Sequence, residues 1–302
     1  MIGHMTKRSL RPGLPAMLWA VAAVSAAAGP LRIHTVNYPL QYFAERIAGP
    51  HAEVVLPAPP EVDPAFWLPD AAVINQYQGA DLVLLNGAGY ARWTGRATLP
   101  RSRLVNTSAG FREDYLAGQR AVTHSHGPGG EHAHTATAFT TWLDFSLAAR
   151  QAAAIRDAVV RLRPELRQEV EENFVALERD LLALAQQAKA LGLYAKGMPM
   201  LASHPVYQYL AGAYGLNLRS VHWEFDQTPD GEQWAELEAL LRRHPARIML
   251  WEGAPRAGVV ERLQSLGIRS VVFEPAANRP GRGDWLSVMR ANLARLEDAL
   301  SR

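Results

Sequence analysis

The chain has 302 residues, enough for two lobes with cores of their own or for one large α/β domain. Hydrophobic residues make up 48% and charged residues 20%, an ordinary globular balance, and a formal charge of +2 gives no concentrated basic face for nucleic acid. There is no cysteine, which leaves no means for a disulfide, a thiolate metal site, a cysteine nucleophile or lipid attachment through an N-terminal cysteine. Any metal site must be built from His, Asp, Glu or water, which suits zinc or manganese better than copper(I).

The N-terminus carries basic residues (Lys7, Arg8, Arg11), an apolar run over 14–24 and small residues over 25–28. This is the pattern of a secretory signal peptide with cleavage near Ala28. The run is shorter than the roughly 20 residues a spanning helix needs. Residues 1–28 are therefore expected to be a leader, with residues 1–4 an extension before Met5 and His4 given no role. The expected location is the periplasm, without a lipid anchor.

After Pro30, residues 31–36 read as a strand, 37–39 as a turn and 41–47 as a helix. Residues 53–56 form a second apolar run that ends in the proline-rich loop 57–64. Residues 71–79 have helical spacing and lead into the continuous apolar run 81–85, of the kind found in buried parallel strands. Residues 120–140 are rich in His, Gly and Thr without hydrophobic periodicity, and are expected to form a mobile loop. A long helical stretch from Ser146 is interrupted by Pro164, so one helix is expected to end near Leu162 and another to span 165–190. Strand and helix then alternate: strands at 198–202, 218–223, 248–251 and 270–273, and helices at 205–214, 231–243, 256–266 and 285–300. The fold class expected is α/β, with two lobes of parallel sheet bridged by one long helix. The N-terminal lobe would span 29–163, the linking helix 164–191 and the C-terminal lobe 192–302.

Of the ten histidines, His124, His126, His132 and His134 fall within THSHGPGGEHAH (123–134), beside Glu131. Two H-x-H pairs separated by glycines leave the backbone free to fold imidazoles around a cation, and His-rich tracts are a metal-binding composition. The competing reading is a solvated loop with incidental histidines. His204, in LASHPVYQYL, follows a buried-type strand at its C-terminal end, where open α/β sheets collect ligands; a helix-capping or core role is its alternative. Glu274 and Glu252 stand in equivalent places after their strands, and Glu274 reads equally as a ligand or as the partner of an Arg. His222 ends another strand beside Trp223, Glu224 and Asp226. His34 and His51 lack such company, and His244 reads as solvated near a helix end. Trp67, Trp142, Trp223 and Trp251 read mostly as core. No H-E-x-x-H, G-x-S-x-G or P-loop signature is present, and Gly87-Ala88-Gly89 lacks the third glycine of a dinucleotide loop.

Taken in order, TVNYPLQYFAERIAG (35–49), PPEVDPAFWLPD (59–70), GADLVLLNGAGYARW (79–93), the His-rich insertion, TWLDFSLAARQAAAI (141–155), SHPVYQYLAGAYGL (203–216) and VVFEPAANRPG (271–281) resemble the metal-specific periplasmic binding proteins of zinc-type ABC importers over roughly 31–300. The resemblance implies two α/β lobes with a metal between them, held by three histidines and one carboxylate. His204 and Glu274 match two of those positions. Ala65 and Thr140 stand where the other two histidines are usual. His134 is six residues before Thr140, a reach of up to roughly 20 Å, so His134 and His132 are expected to supply the missing imidazoles. His124 and His126 would form a capture arm, with His222 in reserve.

The function expected is reversible, non-enzymatic capture of Zn2+, with Mn2+ as second choice, by a monomer that delivers it to an inner-membrane ABC permease, a periplasmic metallochaperone being a further possible partner. The alternatives are a periplasmic metal buffer or chaperone and a binder of a non-metal or metal-chelate ligand. A zinc-dependent hydrolase with Glu252 as general base ranks last, for want of a catalytic signature.

Overall fold

A computed structural model describes residues 29–118 and 137–302, together with 1–2, 124–125 and 131–132. The leader reading therefore falls on residues almost all outside the described ones. Among the described residues no helix is long and apolar enough to cross a membrane.

Two four-stranded parallel sheets form the frame. In the N-terminal lobe β1 (Leu31–Thr35), β2 (Ala52–Val55), β3 (Leu82–Leu85) and β4 (Leu104–Asn106) lie in the order β2-β1-β3-β4. In the C-terminal lobe β7 (Pro199–Ala202), β8 (Asn217–Ser220), β9 (Ile248–Trp251) and β10 (Arg269–Val272) lie in the order β10-β9-β7-β8. The continuous apolar runs in β3 and β9 mark the inner strands, covered on both faces: all four residues of β9 are buried.

Helices α1 (Tyr38–Ala48) and α2 (Ala71–Gly79) serve the first sheet, and α5 (Gln208–Tyr214), α6 (Gly231–Leu241), α7 (Ala257–Ser265) and α8 (Trp285–Ser301) the second. Helix α3 (Phe145–Leu162) packs on α1 and on the 29-residue α4 (Arg167–Ala195), and α4 also packs on α5 and α8, so that it joins the lobes. Pro164 opens a single tight turn that breaks the stretch where its ring would clash with the preceding turn. Helix α4 buries Val170, Phe174, Leu177, Leu181, Leu184, Ala188 and Leu191, a stripe at helical spacing. One continuous core crosses both lobes, and a smaller one lies under α6 and α7.

Several local expectations are corrected. Residues 37–39 are a helix start rather than a turn. Asn37 caps α1 by accepting from Leu40 N, and Pro39 fits the first helical turn, where no donor is needed. The helix expected from Pro205 begins at Gln208, and the strand expected over 218–223 spans Asn217–Ser220, because residues 221–223 leave the sheet to bond across its end. Strand β4 carried too short an apolar run to be read. His244 is buried rather than solvated, its Nε2 lying 2.9 Å from Met200 O. His51 pairs with Glu169 at 2.9 Å.

Within the segment read as a patternless loop, β5 (His124–Ser125) and β6 (Glu131–His132) pair antiparallel, with His124 opposite His132. Ala117 and Thr137 form a further antiparallel bridge at the base. His126 and His134 lie outside the described residues.

Candidate metal centre

The site is built where the C-terminal sheet ends. Ala202 pairs with both Ser220 and Leu250, so the residues two further along these three chains fall in one row: His204, His222 and Glu252. Ser203 N donates to Leu250 O at 2.8 Å and Trp223 N to Ser203 O at 2.7 Å, which carries the register past the strands. His204 Nδ1 lies 3.1 Å from Glu252 Oε1, and its Nε2 lies 3.8 Å from Glu224 Oε1. The rings of His204 and His222 meet edge to face with centroids 5.9 Å apart.

A further group comes from the other lobe. Asn278 Nδ2 donates to Pro59 O at 2.6 Å and to Val62 O at 2.8 Å, tying the proline-rich loop across the cleft. Asp63, next in that loop, accepts from Ala65 N at 2.8 Å and faces His204 and Glu252. It keeps solvent access through the cleft mouth, yet protein from both lobes surrounds it. Desolvation pushes its carboxyl up to about 6; the bond from Ala65 N opposes this and the charges of Glu252 and Glu224 add to it. For His204, burial disfavours the charged ring, but the hydrogen bond and charge of Glu252, with Glu224 and Asp63, outweigh it and raise the imidazole above its ordinary value.

Two spaces meet at these groups. An inner cavity leaves about 70 Å³ to the centres of water-sized particles, and its lining includes Asp63, His204, Glu252, Thr140, Gln208 and Trp142. Gly118 and Thr137, from which the His-rich segment departs and to which it returns, also line it. An outer cleft of about 770 Å³ shares Asp63, His204 and Glu252 and adds Glu224, Phe225, Glu274 and Arg279.

His204 and Glu274 thus open onto one cleft, although Glu274 faces Arg295 at 3.7 Å and its backbone N–H bonds Asn292 Oδ1. His222 stands beside His204. Asp63 was missed by sequence reasoning; its only signal was an acid within a proline-rich turn, and Glu224 was noted merely as a neighbour of His222. Ala65 and Thr140 are both buried, and the Thr140 hydroxyl donates to Val206 O. The side chains of His124 and His132 lie beyond what is described, as do His126 and His134. Trp142, Trp223 and Trp251 are core as read, and Trp67 lines the outer cleft. Among the described residues no three His, Asp or Glu side chains stand in an arrangement that could hold a metal ion as placed.

The family model described as zinc-uptake complex component A, periplasmic (ZnuA), matches residues 33–299. The chain belongs to this family. Among curated relatives, the zinc-binding lipoprotein AdcA of Streptococcus pneumoniae is 27% identical over 282 residues, covering 90% of this chain and 56% of that protein. The zinc-binding protein AdcA of Streptococcus pyogenes is 23% identical over 290 residues, again with 56% of its length covered. The chain therefore spans little more than half the length of these relatives. The metal-dependent lipoprotein YcdH of Bacillus subtilis superposes with a TM-score of 0.77 at 23% identity, over 89% of this chain and 98% of that one. The Zn(II)-bound ZnuA-like domain of S. pneumoniae AdcA superposes with a TM-score of 0.75 at 23% identity, over 91% of this chain and 100% of that domain. The two-lobed ZnuA fold is thus the fold of this chain.

Proposed function

We propose that this ZnuA-family protein works outside the cytoplasmic membrane, captures a zinc ion between its lobes and hands it to an ABC permease, with manganese as an alternative cargo. The family's description as periplasmic, and relatives named as lipoproteins, support a place of work outside the cytoplasmic membrane. The reading is capture and transfer, with no chemistry done on the cargo.

The observation that carries it is the orientation of His204. A carboxylate on Nδ1, here Glu252 at 3.1 Å, fixes the tautomer that leaves Nε2 as the ligating nitrogen. Nε2 faces Glu224 Oε1 at 3.8 Å. Two donors about 2.1 Å from one zinc ion stand roughly 3.4 Å apart at the tetrahedral angle, so a small closing movement makes this pair a metal edge. Asp63 supplies a third donor from the opposite lobe. His132 and His134 belong to a segment rooted at Gly118 and Thr137 on the cavity wall, and we assign them the role of further donors, with His124 and His126 collecting the ion. Glu274 stands in reserve at the cleft, and His222 beside His204.

The test is metal analysis and calorimetry on chelator-stripped, reloaded protein. Wild type is expected to bind one zinc ion, His204→Ala to lose it, and His132→Ala with His134→Ala to bind more weakly. Full affinity in the double variant removes the loop from the site. Full affinity in His204→Ala removes the site itself.

A further inference from the structure

Glu224 stands on a stretch that has left its sheet. Strand β8 ends at Ser220, and the backbone bonds to the neighbouring chain stop with Trp223 N, which donates to Ser203 O at 2.7 Å. The next anchors come from the chain that carries Glu252. Trp223 is buried against Trp251, ring centroids 6.2 Å apart, and against Trp234 at 4.7 Å. Phe225 lies on Gly253: a methyl group placed on that glycine would stand 3.0 Å from Phe225 Cγ and Cδ2 and 3.1 Å from Cε2, near-equal distances that put the ring face over the glycine. Arg256, which caps α7, donates from Nε to Asp226 O. Trp223-Glu224-Phe225 thus meets Trp251-Glu252-Gly253 at its first and third residues. The middle residues both reach His204, Glu252 at Nδ1 and Glu224 at Nε2.

Core packing explains Trp223 but not Phe225. Phe225 is 40% exposed, belongs to neither hydrophobic core and lines the outer cleft. Gly253 has no positive φ, so its backbone does not call for glycine; the space taken by the ring does. Two carboxylates facing one imidazole repel each other, so the loop that carries the second must be held. Its placement is also critical. The 3.8 Å between His204 Nε2 and Glu224 Oε1 exceeds the roughly 3.4 Å of a zinc-bound pair by only a few tenths of an ångström.

We propose that Phe225 is a positioning residue of the metal site: seated on Gly253, its ring holds Glu224 opposite His204 Nε2, within reach of a shared ion. This deepens the capture function and rests on it. Phe225 touches no ion and acts through Glu224, and Gly253 is the seat that lets the ring come close enough.

The test is calorimetry with Zn2+ on chelator-stripped protein, joined to urea unfolding of the metal-free form. Phe225→Ala is expected to lower zinc affinity about tenfold, the effect of losing a group that orients a ligand, with little change in unfolding. Phe225→Tyr keeps the ring and is expected to bind like wild type. Gly253→Val puts methyl groups where the ring lies and is expected to weaken binding as Phe225→Ala does. In a Glu224→Gln background, itself weaker than wild type, Phe225→Ala is expected to make no further difference, because both changes act on one donor. An equal loss in that background makes Phe225 a packing residue and overturns the proposal, as does a Phe225→Ala variant that binds like wild type. Full affinity in Glu224→Gln overturns it too, while capture stands. A wild-type protein that binds no zinc removes the capture function with it.

Discussion

The two lobes end their sheets in opposite ways. In the N-terminal lobe the strand ends carry amides and hydroxyls that satisfy one another: Asn37 Nδ2 donates to Asn86 Oδ1 at 3.1 Å, Gln151 Nε2 to Asn86 Oδ1 at 3.2 Å and to Thr107 Oγ1 at 2.9 Å, and Asn86 Nδ2 to Phe139 O at 2.9 Å. In the C-terminal lobe the corresponding ends carry the ionisable His204, His222 and Glu252, of which His204 and Glu252 line the cavity and His222 packs against His204. One lobe uses its strand ends to fix a wall, and the other presents them as the proposed metal site. A closed neutral network makes that wall rigid because each buried group that loses its partner bears its full desolvation cost. Interlobe bonds such as Trp142 Nε1 to Pro275 O, 2.8 Å, and Tyr38 N to Ala277 O, 2.8 Å, hold the wall against the site.

Four experiments test this division. Asn86→Leu strands several buried partners at once and is expected to cost about 3 kcal/mol in urea unfolding, while zinc affinity per folded molecule stays at the wild-type level. A loss of affinity at full stability would break the comparison from the N-terminal side. In the other lobe, His204→Ala is expected to lower zinc affinity about a hundredfold, roughly 2.7 kcal/mol, with little change in unfolding of the metal-free protein. Glu252→Gln keeps an acceptor for Nδ1 but removes the charge that strengthens the ligand, and about a tenfold loss of affinity is expected by calorimetry.

The smallest effect is in pH. His204 is raised in the folded state, so its contribution to the metal-free protein is complete below the unfolded value of about 6.5 and is lost as pH rises through the folded one. Asp63, raised from 3.8 to about 6, likewise stabilises the metal-free fold in acid and loses that contribution as pH rises through about 6. A metal needs the neutral ring and the ionised carboxylate. The rise in melting temperature on adding zinc should therefore be larger at pH 7.5 than at pH 5.5. A zinc-induced shift equal at both values would remove His204 and Asp63 from the ligand set.

The sequence by itself determined the alternation of strand and helix, the break at Pro164, the long bridging helix and the placement of His204, Glu252 and Glu274 just past buried strands. These are local consequences of apolar spacing, of proline's missing donor and of strand ends that must stop where polar groups begin. The short strand β4 and the hairpin pairing at His124–His132 escaped because neither has an apolar run long enough to show a period. Only the tertiary structure decided which strand ends are neighbours. The order β10-β9-β7-β8 puts His204 between Glu252 and His222, and no spacing along the chain encodes that order. It also brought Asp63 across the cleft, more than a hundred residues from His204, on a loop held by Asn278. Strand order and interlobe bonds are settled by which faces pack together over the whole molecule, and that is where the site is made.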